Sequence, residues 1–246
     1  MSLDYIKVKI VCPICLGNGY ELYEAEDGKE YARKCKCRLI EEARSRFIKS
    51  GLASSFANKS FEQFETYGNS VLIDAKETAE RFVNQFREGA PEVSPSLLLC
   101  GQVGAGKTHL GTACSMKLLE QDIAVIYMGY REEVTSLKTK IIDEEAYTRV
   151  VDKFKKAEVL FIDDFLKGKI NETDVNIVYE IINYRYNNKL PTIISTEKAL
   201  EGLIAFDEAI GSRIIEMCCG YIVSFSGGEF NYRIYRGGAF NVCLQG

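Results

Sequence analysis

The chain has 246 residues, with 31 Lys and Arg against 35 Asp and Glu and a formal net charge of −4. That balance excludes a protein that coats nucleic acid through bulk charge, so any such contact must be a local patch. No apolar run approaches the ~20 residues needed to span a bilayer, and the N-terminus lacks a signal-peptide pattern, so the expected setting is cytoplasmic with no membrane contact.

The first chemistry in chain order belongs to cysteine. Of nine cysteines, four cluster as Cys12-Pro-Ile-Cys15, then nineteen residues, then Cys35-Lys-Cys37. Thiolates from two tight turns can surround one ion tetrahedrally, and Gly17, Gly19 and the Asp27-Gly28 pair suit a short hairpin between the ligand pairs. The first forty residues hold too little apolar surface to fold alone, so a structural Zn²⁺ on Cys12, Cys15, Cys35 and Cys37 would supply the folding free energy. A redox pair or unrelated free thiols are the alternatives. Cys100, Cys114, Cys218, Cys219 and Cys243 lie in apolar or ordinary helical settings and read as reduced core or surface residues.

Between Lys29 and Lys49 eight basic residues (Lys29, Arg33, Lys34, Lys36, Arg38, Arg44, Arg46, Lys49) face three acidic ones (Glu30, Glu41, Glu42). Leu39 to Ile48 reads as a short helix with Leu39, Ala43, Phe47 and Ile48 near one face. A protein or nucleic-acid contact and a merely solvated basic helix both remain open. Gly51 to Glu65, punctuated by Phe56, Phe61 and Phe64, reads as a linker whose aromatics pin it to the next domain. The expected domains are therefore 1–54, a zinc-binding partner-contact module, and 55–246. A helix is expected from Val71 to Phe86, ended by Gly89 and Pro91.

Residues 101–108 read GQVGAGKT, after the apolar run Leu97-Leu98-Leu99-Cys100 and before a helical pattern from His109 to Glu120. This is a nucleotide-binding P-loop. A triphosphate needs many converging donors, and glycines let the backbone curl until its N–H groups point inward at a helix N-terminus. The expected ATP/ADP contacts are Gly101, Val103, Gly104, Ala105, Gly106, Lys107, Thr108 and His109. Lys107 brings charge to the β- and γ-phosphates, and the Thr108 hydroxyl takes a place in the Mg²⁺ shell. His109, the single histidine, reads as a residue that caps or packs beside the loop.

Further apolar runs come at Ile123–Met128, Val159–Ile162, Thr192–Ile194 and Tyr221–Phe225, with helical patterns between them. Strands alternating with helices indicate a three-layer α/β domain with a mainly parallel five-stranded sheet, whose ligand sits at the carboxyl ends of the strands. Val159-Leu160-Phe161-Ile162-Asp163-Asp164 delivers two carboxylates at a strand end, a Walker B arrangement. Asp163 is expected to hold Mg²⁺ with Thr108, and Asp164 to polarise the attacking water. Tyr127, Tyr130 and Arg131, or Lys138 and Lys140, could meet single-stranded DNA, although packed tyrosines are the favoured reading at strand ends.

The Cys12/Cys15/Cys35/Cys37 set, Phe61-Glu62-Gln63-Phe64, GQVGAGKTH (101–109), FIDDF (161–165) and AIGSRI (209–214) together resemble the DnaC/DnaI family of replicative helicase loaders. That family consists of AAA+ ATPases, and the likeness is strongest to its phage and prophage members. The resemblance implies an AAA+/ASCE P-loop NTPase. It further implies an ATP-dependent loader that grips a hexameric DnaB-type replicative DNA helicase through its N-terminal module and helps place it on single-stranded DNA. Arg213 would match the arginine finger offered to a neighbouring subunit, which implies self-association.

Two departures accompany the resemblance. The fourth core strand ends Ile194-Ser195-Thr196-Glu197, where relatives present an asparagine as γ-phosphate sensor. A carboxylate cannot donate to phosphate, so Ser195 or Thr196 is expected to do so, or Glu197 contacts water or a neighbour. No full helical lid is expected after the fifth strand, leaving Arg233 and Arg236 as the late arginines able to reach the nucleotide. Asp164 stands where many relatives have glutamate, which fits slow, switch-like hydrolysis. The alternatives are a transposition-helper (IstB-like) ATPase, which typically lacks the cysteines, and a non-catalytic nucleotide-binding adaptor.

Overall fold

The computed structural model describes residues 12–25, 28–49, 59–86, 95–226 and 231–232. The N-terminal part is an antiparallel hairpin, β1 (Tyr20–Glu24) and β2 (Glu30–Lys34), followed by helix α1 (Lys36–Lys49). Tyr20 pairs with Lys34 and Glu24 with Glu30, so the two cysteine pairs lie at one end of the hairpin. Gly28, at φ +73°, closes the opposite end; Asp27 lies outside the described residues. α1 starts three residues before the expected Leu39, because the turn after Cys35 already winds into the helix: the Arg38 and Leu39 N–H groups both donate to the Cys35 carbonyl.

Helix α2 (Ser70–Asn84) opens on Asn69, whose side chain accepts from the Val71 and Leu72 N–H groups, an ordinary asparagine N-cap. The expected stop signals Gly89 and Pro91, the boundary at 54/55 and Phe56 all lie outside the described residues. The rest alternates strand and helix: β3 (Leu97–Gly101), α3 (Lys107–Glu120), β4 (Val125–Gly129), α4 (Tyr130–Lys140), α5 (Glu144–Lys155) and β5 (Val159–Phe165). Then come α6 (Glu172–Asn187), β6 (Thr192–Thr196), α7 (Leu200–Phe206), α8 (Glu208–Met217) and β7 (Ile222–Phe225).

The five later strands form one parallel sheet in the order β4-β5-β6-β3-β7. Alternation along each strand sorts side chains into two cores, as the two-residue period of a strand requires. Leu97, Leu99, Phe161 and Ile193 point to the side covered by α2 and α3. Leu98, Cys100, Leu160, Ile162 and Ile194 point to the side covered by α4, α5, α6, α7 and α8. A sheet buried on both faces needs apolar residues at consecutive positions, which explains the uninterrupted run from Leu97 to Cys100.

Two local devices seat the layers. Gly111 of α3 lies against the Phe161 ring so closely that a Cβ there would collide with it. On the opposite side Arg185 is fully buried at the end of α6. Its guanidinium donates to the Thr192 hydroxyl and to the carbonyls of Phe154, Lys155, Ala157 and Pro191, tying the end of α5 and the entries of β5 and β6 into one knot.

Candidate functional site

The P-loop leaves the inner strand β3, between β6 and the edge strand β7. Gly101, Gly104 and Gly106 all take positive φ. At Gly106 (φ +90°) the requirement is double, since a Cβ would also lie 2.6 Å from the Phe64 ring. Gly106 is the N-cap of α3 and offers no side chain to the N–H groups of the first turn, which leaves these donors for an anion. Ala105 is buried and Val103 is exposed on the loop surface. Lys107 is 7% exposed, its ammonium donating to the carbonyls of Gly101 (2.8 Å) and Gln102 (2.6 Å). Burial lowers its pKa, an effect opposed by the negative charges of Glu197 and Asp164 nearby.

Thr108 and Asp163, fifty-five residues apart, meet at 2.9 Å, the hydroxyl donating to Asp163 Oδ1. The same oxygen accepts from the Ser195 hydroxyl, and Tyr127 OH donates to Oδ2 at 3.4 Å. Burial first, and then the charge of Asp164, raise the pKa of Asp163. A buried carboxylate beside a hydroxyl and a phosphate loop is a hard-oxygen donor set of the kind Mg²⁺ takes, and a cation would relieve both effects.

Asp164 is positioned differently. The β5–β6 register shifts between Ile162 and Phe165, and Asp164 takes φ +54°. A bulge with a left-handed residue re-aims the side chain at the strand end. The Asp164 N–H donates to Ser195 Oγ (2.9 Å), and its carboxylate pairs with Lys167 at 3.0 Å. Lys167 also pairs with Glu197 at 3.0 Å.

Other expected residues lie elsewhere. Thr196 is fully buried and donates to the Phe165 carbonyl, so its hydroxyl holds β6 to β5 and does not face the loop. His109 binds the Ser60 carbonyl through Nε2 (2.8 Å) and meets the Phe64 ring edge-on, packing beside the loop without facing the phosphate position. Arg213 donates to the Ala209 carbonyl and lies over the Tyr179 and Tyr186 rings of α6, apart from the strand-end cluster. Tyr127 packs edge-on against Phe161, Tyr130 is buried against Phe165, and Lys138 pairs with Asp174. Arg233 and Arg236 lie outside the described residues. Ser195 is expected from its position as a phosphate donor, yet its hydroxyl serves the two aspartates. Lys167 escapes a reading of the sequence. Its signal, a lysine three residues beyond the second aspartate, gains meaning only once the left-handed turn at Asp164 is known.

At the hairpin, the sulfurs of Cys12, Cys15, Cys35 and Cys37 all lie within 4.8 Å of one another. Cys15 and Cys37 approach to 3.3 Å, Cys12 and Cys35 to 3.8 Å. A tetrahedral ion with bonds of ~2.3 Å sets its ligands about 3.8 Å apart, so the cluster fits a four-thiolate metal centre. The Gly19 N–H donates to Cys15 Sγ at 3.3 Å, a hydrogen bond that favours the thiolate needed by a metal. The remaining thiols are free, with Cys100, Cys114 and Cys218 buried and Cys219 exposed; Cys243 lies outside the described residues.

The profile of the IstB-like ATP binding protein family matches residues 42–216. The chain belongs to that family. It is an ATPase of the AAA+ type, with the Walker A pattern in the loop from β3 into α3 and the Walker B pattern at the end of β5. Among relatives of the IstB-like chain, the phage-like element PBSX protein XkdC of Bacillus subtilis (strain 168) is 35% identical over 232 residues, 91% of this chain and 86% of the relative. The uncharacterised protein YqaM of the same strain is 35% identical over 213 residues, 83% of this chain and 67% of the relative. In fold, the chain matches the crystal structure of the DnaC helicase loader with a TM-score of 0.60 at 24% identity, over 71% of this chain and all of that one. It matches DnaI with a TM-score of 0.57 at 22% identity, over 73% and 94%. Among the described residues, no helix is long and apolar enough to cross a membrane.

Proposed function

We propose that this IstB-like ATPase is a helicase loader, which binds a hexameric DnaB-type replicative helicase and uses ATP to help deliver it onto single-stranded DNA. The observation that carries this reading is the union in one chain of a four-thiol module with an ATPase domain folded like DnaC and DnaI. In this reading Zn²⁺ on Cys12, Cys15, Cys35 and Cys37 stabilises the hairpin and its basic helix as the partner-contact module. With four thiolates a tetrahedral ion keeps no open position, so the role is structural.

At the ATP site Lys107 and the α3 N-terminus bind the phosphates, while Thr108 and Asp163 would hold Mg²⁺, which neutralises phosphate charge. Asp164 accepts the proton of the attacking water. Its short side chain and its existing pair with Lys167 favour slow, switch-like turnover. Arg213 reaches the γ-phosphate of a second copy of the chain. Its position away from its own strand-end cluster is compatible with such a role, and in this reading full activity needs self-association.

The test is capture of the replicative helicase from the same cell, in ATP and in ADP, alongside a Cys35→Ser/Cys37→Ser variant. The loader reading expects capture by the wild type, dependent on nucleotide, and loss of capture in the variant. A transposition-helper role is favoured by the family match and by 26% identity over 124 residues to the insertion sequence IS21 putative ATP-binding protein of Pseudomonas aeruginosa, half of this chain. Absence of helicase capture in both nucleotides, with no bound zinc, would decide for it.

A further inference from the structure

The γ-phosphate position lacks an evident donor on β6. Ser195 is engaged by Asp163 and the Asp164 N–H, Thr196 by Phe165, and Glu197 cannot donate. The strand end nevertheless holds a cation. Lys167 reaches back from the turn after β5 and sits between Asp164 and Glu197, 3.0 Å from each carboxylate. The turn that returns it has three left-handed residues, Asp164 (φ +54°), Leu166 (φ +60°) and Gly168 (φ +97°). Two of these are not glycine, so the backbone is strained to bring this lysine home. Asp164, Glu197 and Lys167 all act electrostatically on the P-loop Lys107, which places the group beside the phosphate loop.

We propose that Lys167, steered by Glu197, is the γ-phosphate contact of this ATPase in place of a donor on the strand, and that it restrains Asp164 until that phosphate arrives. Without a γ-phosphate the ammonium neutralises Asp164 and keeps the carboxylate from polarising water. A γ-phosphate carries more negative charge than Asp164 and draws the ammonium onto its oxygens. Glu197 keeps its hold on the lysine, as an ammonium has three donors. Asp164 is then free to take a proton from water as the water oxygen bonds to the γ-phosphorus and the bond to the bridging oxygen of ADP breaks. One side chain thus reports ATP against ADP and releases the base. The proposal rests on the ATP-site reading above.

The test compares binding of Mg²⁺-ADP and a non-hydrolysable β,γ-imido ATP analogue to the full chain. A charge-assisted contact made only to the γ-phosphate predicts that Lys167→Ala weakens the analogue about tenfold or more. ADP affinity should stay within about twofold, and Lys167→Arg should retain most of the analogue affinity. Asp164→Asn removes the competing carboxylate, so it should tighten the analogue relative to ADP, and adding Lys167→Ala should abolish that gain. Equal losses for both nucleotides, or none for either, would overturn the proposal. So would faster turnover in Lys167→Ala with unchanged analogue affinity, which would make the lysine a restraint alone. Lys107→Ala serves as the separate control: if the wild type binds neither nucleotide better than this variant, the ATP-site reading itself fails, and the proposal with it.

Discussion

His109 stands directly after the P-loop threonine, yet it works on the linker. Its Nε2 is bonded to the Ser60 carbonyl and its ring meets Phe64, which in turn lies over Gly106. Burial lowers its pKa below the ordinary value of 6.5, partly offset by the Ser60 hydrogen bond. The folded state therefore binds fewer protons than the unfolded chain at mildly acid pH. The stability tied to the neutral ring is present above pH 6.5 and is lost as pH falls through the lower folded value. Because His109 is the single histidine, its imidazole proton resonances can be followed without assignment. They are expected to titrate below 6.5 in the folded protein. A midpoint at or above 6.5 would mean that the ring is solvated and the linker not held.

At the scale of elements, the inner strands β3, β5 and β6 are legible because each is buried on both faces and so reads as an apolar run, such as Leu97 to Cys100 and Val159 to Ile162. The phosphate loop is legible for a related reason: few structures other than a phosphate cradle need Gly104, Gly106, Lys107 and Thr108 in that spacing. What pattern could not reveal depends on contacts between distant segments. The shift at Asp163-Asp164 turns on the β5–β6 register, and Thr196, expected at the nucleotide, is turned to the Phe165 carbonyl by that same pairing.

Arg185 is the clearest case at this scale. In sequence it is one more basic residue on a helix, while in the fold it is buried with five hydrogen bonds to acceptors on neighbouring segments. Arg185→Met keeps most of the volume but strips donors from buried carbonyls. It is expected to lower the unfolding free energy by about 3 kcal/mol, read from urea denaturation. A loss under about 1 kcal/mol would show that water replaces the guanidinium there.

Across the whole molecule, the two parts are stabilised by different means. The sheet domain has a core on each face. The hairpin has almost none: every residue of β2 and four of the five in β1 are exposed, and in the four-thiol cluster Cys15 and Cys35 are the buried members. Two-stranded hairpins are marginal in water, and cation–π contacts such as Arg38 over Tyr20 contribute only ~0.5–1 kcal/mol at exposed sites. If the four thiols hold zinc as proposed above, the bound metal would be the term that decides whether β1 and β2 fold. Removing it with a strong chelator is expected to abolish amide-exchange protection across Tyr20–Lys34, while protection in β3, β5 and β6 and ADP affinity change little. One zinc per chain should be released. Hairpin protection that survives chelation would mean that the strands hold themselves, and helicase capture lost on chelation could then not be ascribed to unfolding of the module.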